Sequence, residues 1–305
     1  MRWMATDAVR WPALPLEAWA DTCATLHMWT QIVGKIRLAL APPVNHWWHV
    51  TFAVTPRGLT TRAMPYGGGS FEIRFDFIDH QLRIETSDGA SRTLALAPQS
   101  VAEFYTRVVA LLRELGITVR IWPMPVEVPS PVRFDRDHGH KSYDAGWVTQ
   151  WWRVLLQADD VLREFRSEFI GKCSPVHFFW GSFDLAVTRF SGRPAPEREG
   201  ADRMTREAYS HEVISVGFWP GSVGVSDAAF YAYAAPEPPG FKTAKAAPAA
   251  AFYSRDLGEF LLKYEDMRTA PSPRAALLDF ARSTYDAGAS LGQWDRPALE
   301  RHEGN

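Results

Sequence analysis

The chain has 305 residues, 46% of them hydrophobic and 22% charged, the balance of a globular protein with a full-sized core. A formal net charge of −2 argues against nucleic acid as the main partner, and no run reaches the roughly 18 uninterrupted apolar residues of a membrane span. Two cysteines, Cys23 and Cys173, cannot build a disulfide framework, and the N-terminus shows no apolar leader, so the expected compartment is the cytoplasm.

Trp19, Cys23, Leu26, Ile32, Val33, Ile36 and Leu40 recur near helical spacing and predict a helix over about 16–40, ended by "APPVN". The next stretch, "HWWHVTFAVT" from His46 to Thr55, is rich in β-formers and reads as strand. Phe71, Ile73, Phe75 and Phe77 alternate with Glu72, Arg74 and Asp76, the pattern of a half-buried strand with a return strand through 81–86. Ser100 and Glu103 form a capping box before an apolar stripe from Val101 to Leu115, with Gly116 after it. "ITVRIWPMPVEVPSP" reads as a strand running into a proline-rich linker.

A second long helix is predicted over 147–170, with Trp151, Leu155, Leu162 and Phe165 on one side and Gly171 as its cap. Strands follow in "KCSPVHFFWGSFDLAVTRFSGR", "SHEVISVGFWPG" and "AAFYAYAAPEP", the first two separated by a polar insert. Ser272 and Pro273 open a last helix to about Gly288. The expected fold class is α+β: two similar halves, each a mainly antiparallel sheet packed by long helices, around a shared cleft. The expected divisions are 1–122, a linker at 123–145, 146–290 and a polar tail at 291–305. Gly34-Lys35 parallels Gly171-Lys172, "PVNHWWHVTF" parallels "PVHFFWGSF", and "SFEIRFDF" parallels "SHEVISVGF", which suggests an internal duplication.

His177 and Lys172 head the candidate catalytic residues, with His211 and Glu212. As one strand, "KCSPVHFFWGSFDLAVTRFSGR" would put His177 with Phe179, Phe183 and Leu185, and turn Trp180, Asp184 and Thr188 the other way. His177 is either a general base or metal ligand poised near neutral pH, or a buried histidine bonded to backbone. Adjacent on a strand, His211 and Glu212 must face opposite sides. Glu212 is an acid–base candidate or half of a structural ion pair, as is Glu72 beside Arg74. Lys172 is a catalytic candidate or a cap on the preceding helix. Cys173 beside a helix C-terminus is disfavoured as a thiolate. His46 and His49, three apart on a strand, point apart and make a weak metal pair. His138 and His140 lie in a polar linker. Trp180, Tyr209, Trp219 and Tyr231 could wall a site for a small, partly apolar ligand.

The phrases "QIVGKIRLALAPPVNHWWHVT", "IGKCSPVHFFWGSFDLAVTRFSGR" and "YSHEVISVGFWPG" resemble a bacterial protein family of unknown function over nearly the whole chain. The resemblance implies a bacterial protein whose halves belong together and supplies no catalytic residues. The sequence therefore points to a small-molecule enzyme using histidine and glutamate acid–base or metal-assisted chemistry, or to a non-catalytic module with an aromatic-lined pocket. An interaction protein using its proline-rich segments is a third reading. The expected partner is a small-molecule ligand, with no nucleic acid and no membrane. No cofactor, particular metal or oligomeric state follows.

Overall fold

The computed structural model describes residues 10–222 and 226–301; residues 1–9 and 302–305, with the N-terminal stretch and the end of the expected polar tail, lie outside them. Helix α1 (Ala20–Leu40) is buried all round from Met28 to Arg37, where its buried polar side chains Gln31 and Arg37 donate to the carbonyls of Val126 and Thr61. It is followed by β1 (Ala53–Thr55), β2 (Gly58–Thr60), β3 (Met64–Tyr66), β4 (Gly69–Asp76), β5 (Gln81–Thr86), β6 (Ser91–Ala95) and α2 (Val101–Glu114). The second half also opens on a long helix followed by strands, with a short helix inserted among them. Helix α3 (Ala145–Ser167) leads to β7 (His177–Phe179), β8 (Asp184–Pro194), the short α4 (Arg203–Ala208), β9 (His211–Ser222) and β10 (Ser226–Ala235). The chain ends with β11 (Phe252–Ser254), β12 (Glu259–Lys263), α5 (Tyr264–Arg268), α6 (Pro273–Leu291) and α7 (Arg296–Leu299).

The fold is α+β with two six-stranded antiparallel sheets. The first has the order β1-β2-β4-β5-β6, with β3 added on β4; the second runs β11-β12-β10-β9-β8-β7. The meander β1-β2-β4-β5 thus has the order of β7-β8-β9-β10. The two sheets meet edge to edge. Phe52 and Phe178 exchange a pair of backbone hydrogen bonds at 2.9 and 3.0 Å, and their rings stack at 6.4 Å. One contiguous core takes Trp29, Phe75 and Phe104 from the first half and Trp151, Phe165 and Phe218 from the second. Lys35 lies 5.9 Å from the Trp180 ring, and Lys172 lies 5.9 Å from the Trp48 ring, so each half's Gly-Lys meets the other half's tryptophan. No helix among the described residues is long and apolar enough to cross a membrane.

The capping box at Ser100 and Glu103 forms as its spacing requires, with the Ser100 hydroxyl accepting from the Glu103 N–H. Three expectations need correction. Residues Asn45–Val50 are 3-10 turns rather than strand, with His46 and Trp47 in the left-handed region at φ 57° and 61°. The stretch after Gly116 is irregular rather than strand. Helix α3 is capped at Glu168, and the Lys172 side chain reaches away from it to His46.

Candidate functional site

The two faces of the second sheet differ. Arg189 on β8 meets Phe165 and Tyr285, and Ile214 on β9 packs against Gly288 of α6, so this face is covered by α3 and α6. Strand register puts His177, Ala186, Gly217 and Tyr231 in one cross-strand row on the other face. Thr188, Ser215 and Tyr233 form the next row, and Phe190, Val213 and Ala235 the one after. Asp184 and Trp219 share that face by period. The expected facing of Asp184 was therefore opposite to the observed one. Residues 180–183 form a turn between two antiparallel strands, which resets the alternation that a single strand would carry.

One end of this face holds a lysine–imidazole pair. The Lys172 Nζ lies 2.5 Å from His46 Nε2. His46 Nδ1 is 3.1 and 3.2 Å from the carbonyl oxygens of Glu207 and Ala208 in α4. Carbonyls only accept, so Nδ1 carries the hydrogen and Nε2 keeps the lone pair that accepts from Lys172. Burial, and then the Lys172 charge, hold the His46 pKa below its ordinary value, so the ring is neutral. Burial also lowers Lys172, whose ammonium sits 5.0 Å from the Phe190 ring and 5.9 Å from Trp48. The His211 ring stands edge-on to His46 at 5.7 Å, with its Nδ1 3.1 Å from the Ser210 hydroxyl. The left-handed backbone at His46 and Trp47 is a local strain of the sort that only surrounding packing maintains.

From that pair a run of tyrosines crosses the sheet. The Tyr209 and Tyr233 hydroxyls are 2.9 Å apart, and the Tyr233 and Tyr231 rings stack at 6.2 Å. Tyr231 donates to the Asp184 carboxylate, which also accepts from Ser182 at 2.7 Å. Burial outweighs those two bonds and pushes the Asp184 pKa up to about 6. Glu259, on β12, is pushed up to about 7, chiefly by burial and then by the Asp184 charge. Glu127 rises for the same first reason.

Tyr231 can reach Asp184 only because the strand between them carries glycine. A methyl group at Gly217 would run into the Tyr231 ring and would stand 2.6 Å from the Leu185 carbonyl oxygen. Gly217→Ala is expected to cost about 1–3 kcal/mol by overpacking and to swing Tyr231 off Asp184. Chemical denaturation and the near-ultraviolet tyrosine signal check this; an unchanged signal with unchanged stability would refute it.

The other predicted residues lie apart. His177 is buried on the same face, but Trp48, 6.3 Å away, stands between it and His46. Burial, reinforced by Arg62, Arg37 and Arg166, drives its pKa down to about 3, so it is not poised near neutrality. Its Nδ1 has no hydrogen-bond partner among the described residues. Glu212 faces the helix side and forms an ion pair with Arg193 at 2.6 Å; Arg193 also donates to the Gly292 carbonyl. Trp180 donates to the Val50 carbonyl at 2.7 Å and lies against Gly34, in the core. Cys173 is pushed up to about 11 by burial, which leaves it a thiol. His140 bonds Asp137 at 2.7 Å, and His49 Nδ1 accepts from the Val44 N–H at 3.1 Å.

Lys172, His211, Tyr209, Trp219 and Tyr231 thus share one face or its end, while Glu212 and Trp180 do not. His46, weighed from the sequence only as half of a weak metal pair, also belongs here, as do Trp48, Tyr233 and Asp184, which the residue pattern did not make candidates. Two open depressions lie elsewhere, along the outer side of α3, one lined by His80, Thr149 and Gln150 and the other by Ile78, Trp152 and Leu156. Arg153 lines both, but neither holds a lysine–imidazole contact or a carboxyl, and the sheet face is the better candidate on chemistry.

A family model described as "Family of unknown function (DUF5996)" matches residues 11–301, so the chain belongs to that family. No curated protein and no solved structure matches it.

Proposed function

We propose that this member of the DUF5996 family binds a small molecule across the second-sheet face that lies opposite α3 and α6. The observation that carries the reading is the continuous path Tyr209–Tyr233–Tyr231–Asp184, which begins beside the Lys172–His46 pair. Flat rings offer area to a planar, partly apolar body. A cationic lysine at one end and near-neutral carboxyls at the other suit a ligand that carries an acid or carbonyl group and a hydroxyl or amine. The two free cysteines, Cys23 and Cys173, support a reducing, cytoplasmic setting for this role.

Thermal-shift screening of planar organic acids and oxo-acids tests the proposal. A ligand at a hundredfold excess over its Kd stabilises the native state by about 2.7 kcal/mol. The expected result is a rise in Tm that Tyr233→Ala abolishes while the variant stays folded. A rise that Tyr233→Ala leaves intact, or none across the panel, counts against this face. Acid–base catalysis is the second reading, favoured by the position of Asp184 near 6 and Glu259 near 7, where both protonation states are populated at neutral pH.

A further inference from the structure

We propose that Lys172 is an amine nucleophile that condenses reversibly with the carbonyl group of a small aldehyde or ketone, with His46 as its proton acceptor. The inference deepens the small-molecule reading and names its substrate class. Three observations on the page carry it. The Lys172 side chain is exposed at its end of the face, so a carbonyl compound can reach it. Its Nζ is 2.5 Å from an imidazole nitrogen whose lone pair is directed at it by the two carbonyls fixing the other side of the ring. The aromatic rings of Phe190 and Trp48 flank it and weaken hydration of the ammonium.

The step balances without another reagent. His46 Nε2 takes a proton from the ammonium, and the freed lone pair forms the C–N bond as the carbonyl π pair moves to oxygen. That oxygen takes the extra proton from the attacking nitrogen, which gives a neutral carbinolamine and restores the nitrogen lone pair. The imidazolium then returns its proton to the hydroxyl as water leaves, and the nitrogen lone pair closes the C=N bond. One water is the only by-product.

The second half's pair has a built-in contrast in the first half. Lys35, the counterpart of Lys172, rests 5.1 Å from Trp122 and 5.9 Å from Trp180, and no imidazole hydrogen bond to it is present among the described residues. It is also buried, at 5% exposure. Aromatic surroundings recur in both halves; the imidazole and the access belong to Lys172.

The full chain is incubated at pH 7 with 4-carboxybenzaldehyde and sodium cyanoborohydride, which reduces an imine to a stable secondary amine, and peptides are mapped by mass spectrometry. The chain's six lysines (Lys35, Lys141, Lys172, Lys242, Lys245 and Lys263) provide internal references. Lys172 is expected to be labelled at least about tenfold faster than exposed Lys242, because the neutral amine is the reacting form. His46→Gln is expected to remove most of that advantage. Equal rates at Lys172 and Lys242 in the wild type overturn the proposal whether or not the His46 variant folds. A ligand-induced rise in Tm without an adduct at Lys172 sinks this inference and leaves the binding proposal standing; selective labelling without any stabilising acid does the reverse.

Discussion

Arg189→Ala is expected to destabilise the protein by about 3–5 kcal/mol, the range for removing one partner from a buried charged network. Arg189 is 2% exposed and sits on β8 with its guanidinium 3.5 Å from the Phe165 ring and 4.3 Å from that of Tyr285. It donates to the Phe165 carbonyl and approaches Glu168 at 3.7 Å. One side chain thus ties the second sheet to α3, where the last turn leaves carbonyls without helical partners, and to α6 through Tyr285. Alanine would leave the Phe165 carbonyl with only the long 3.4 Å bond from the Glu168 N–H and open a cavity between the Phe165, Phe169 and Tyr285 rings. Arg189→Met keeps most of the volume and removes the charge that must be desolvated, so its loss is expected to be the smaller. Urea denaturation of both variants decides the matter. Equal losses would mean that volume is immaterial and the charge alone matters, and a loss under about 1 kcal/mol for alanine would contradict the network.

The difference between the two faces of the second sheet explains what could and could not be read from the chain. Alternation at Phe71, Ile73 and Phe75 revealed β4 because one face is apolar throughout. Period 2 also separated His211 from Glu212 correctly, and Glu212 proves to be half of an ion pair with Arg193. The same rule failed at Asp184, because a tight turn at 180–183 contains no glycine–asparagine signal strong enough to break the run, and Phe183 takes φ 62° there. At "NHWWHV" composition favoured strand, whereas the left-handed turn is imposed by packing on α4, 161 residues away in the case of the His46–Glu207 contact. Local pattern carries no information about such a contact. Tyr233 was passed over beside Tyr231 although "YAY" puts both on one face; that signal was present. The opening that Gly217 makes for Tyr231 depends on cross-strand register, which a single sequence does not reveal.

Asp184→Asn is expected to stabilise the protein above pH 6 and to do so by less as the pH falls toward 4. The carboxyl is 6% exposed, and its pKa stands at about 6 against an ordinary 3.8. An acid whose folded pKa is raised binds its proton more tightly in the native state. Its contribution to stability is therefore most favourable below 3.8, declines as pH rises from 3.8 to about 6, and is level above that. The full difference corresponds to about 3 kcal/mol, at 1.36 kcal/mol for each factor of ten. Among the groups facing it, Glu127 adds negative charge and reinforces the rise, while Tyr231 and Ser182 donate hydrogen bonds that offset part of it. Glu259, raised to about 7, extends the decline toward neutrality. Asparagine keeps an acceptor for Tyr231 or Ser182 and carries no charge, so it removes the penalty without emptying the position. Urea midpoints of wild type and variant at pH 4 and pH 7.5 measure the effect; a variant that is no more stable at pH 7.5 than the wild type would disprove it. A more stable Asp184→Asn variant would mean that the carboxyl is kept at a cost to the fold, which would support the binding proposal. The same variant should then lose the Tm response to any ligand whose hydroxyl or amine meets Asp184, even though its own stability has risen.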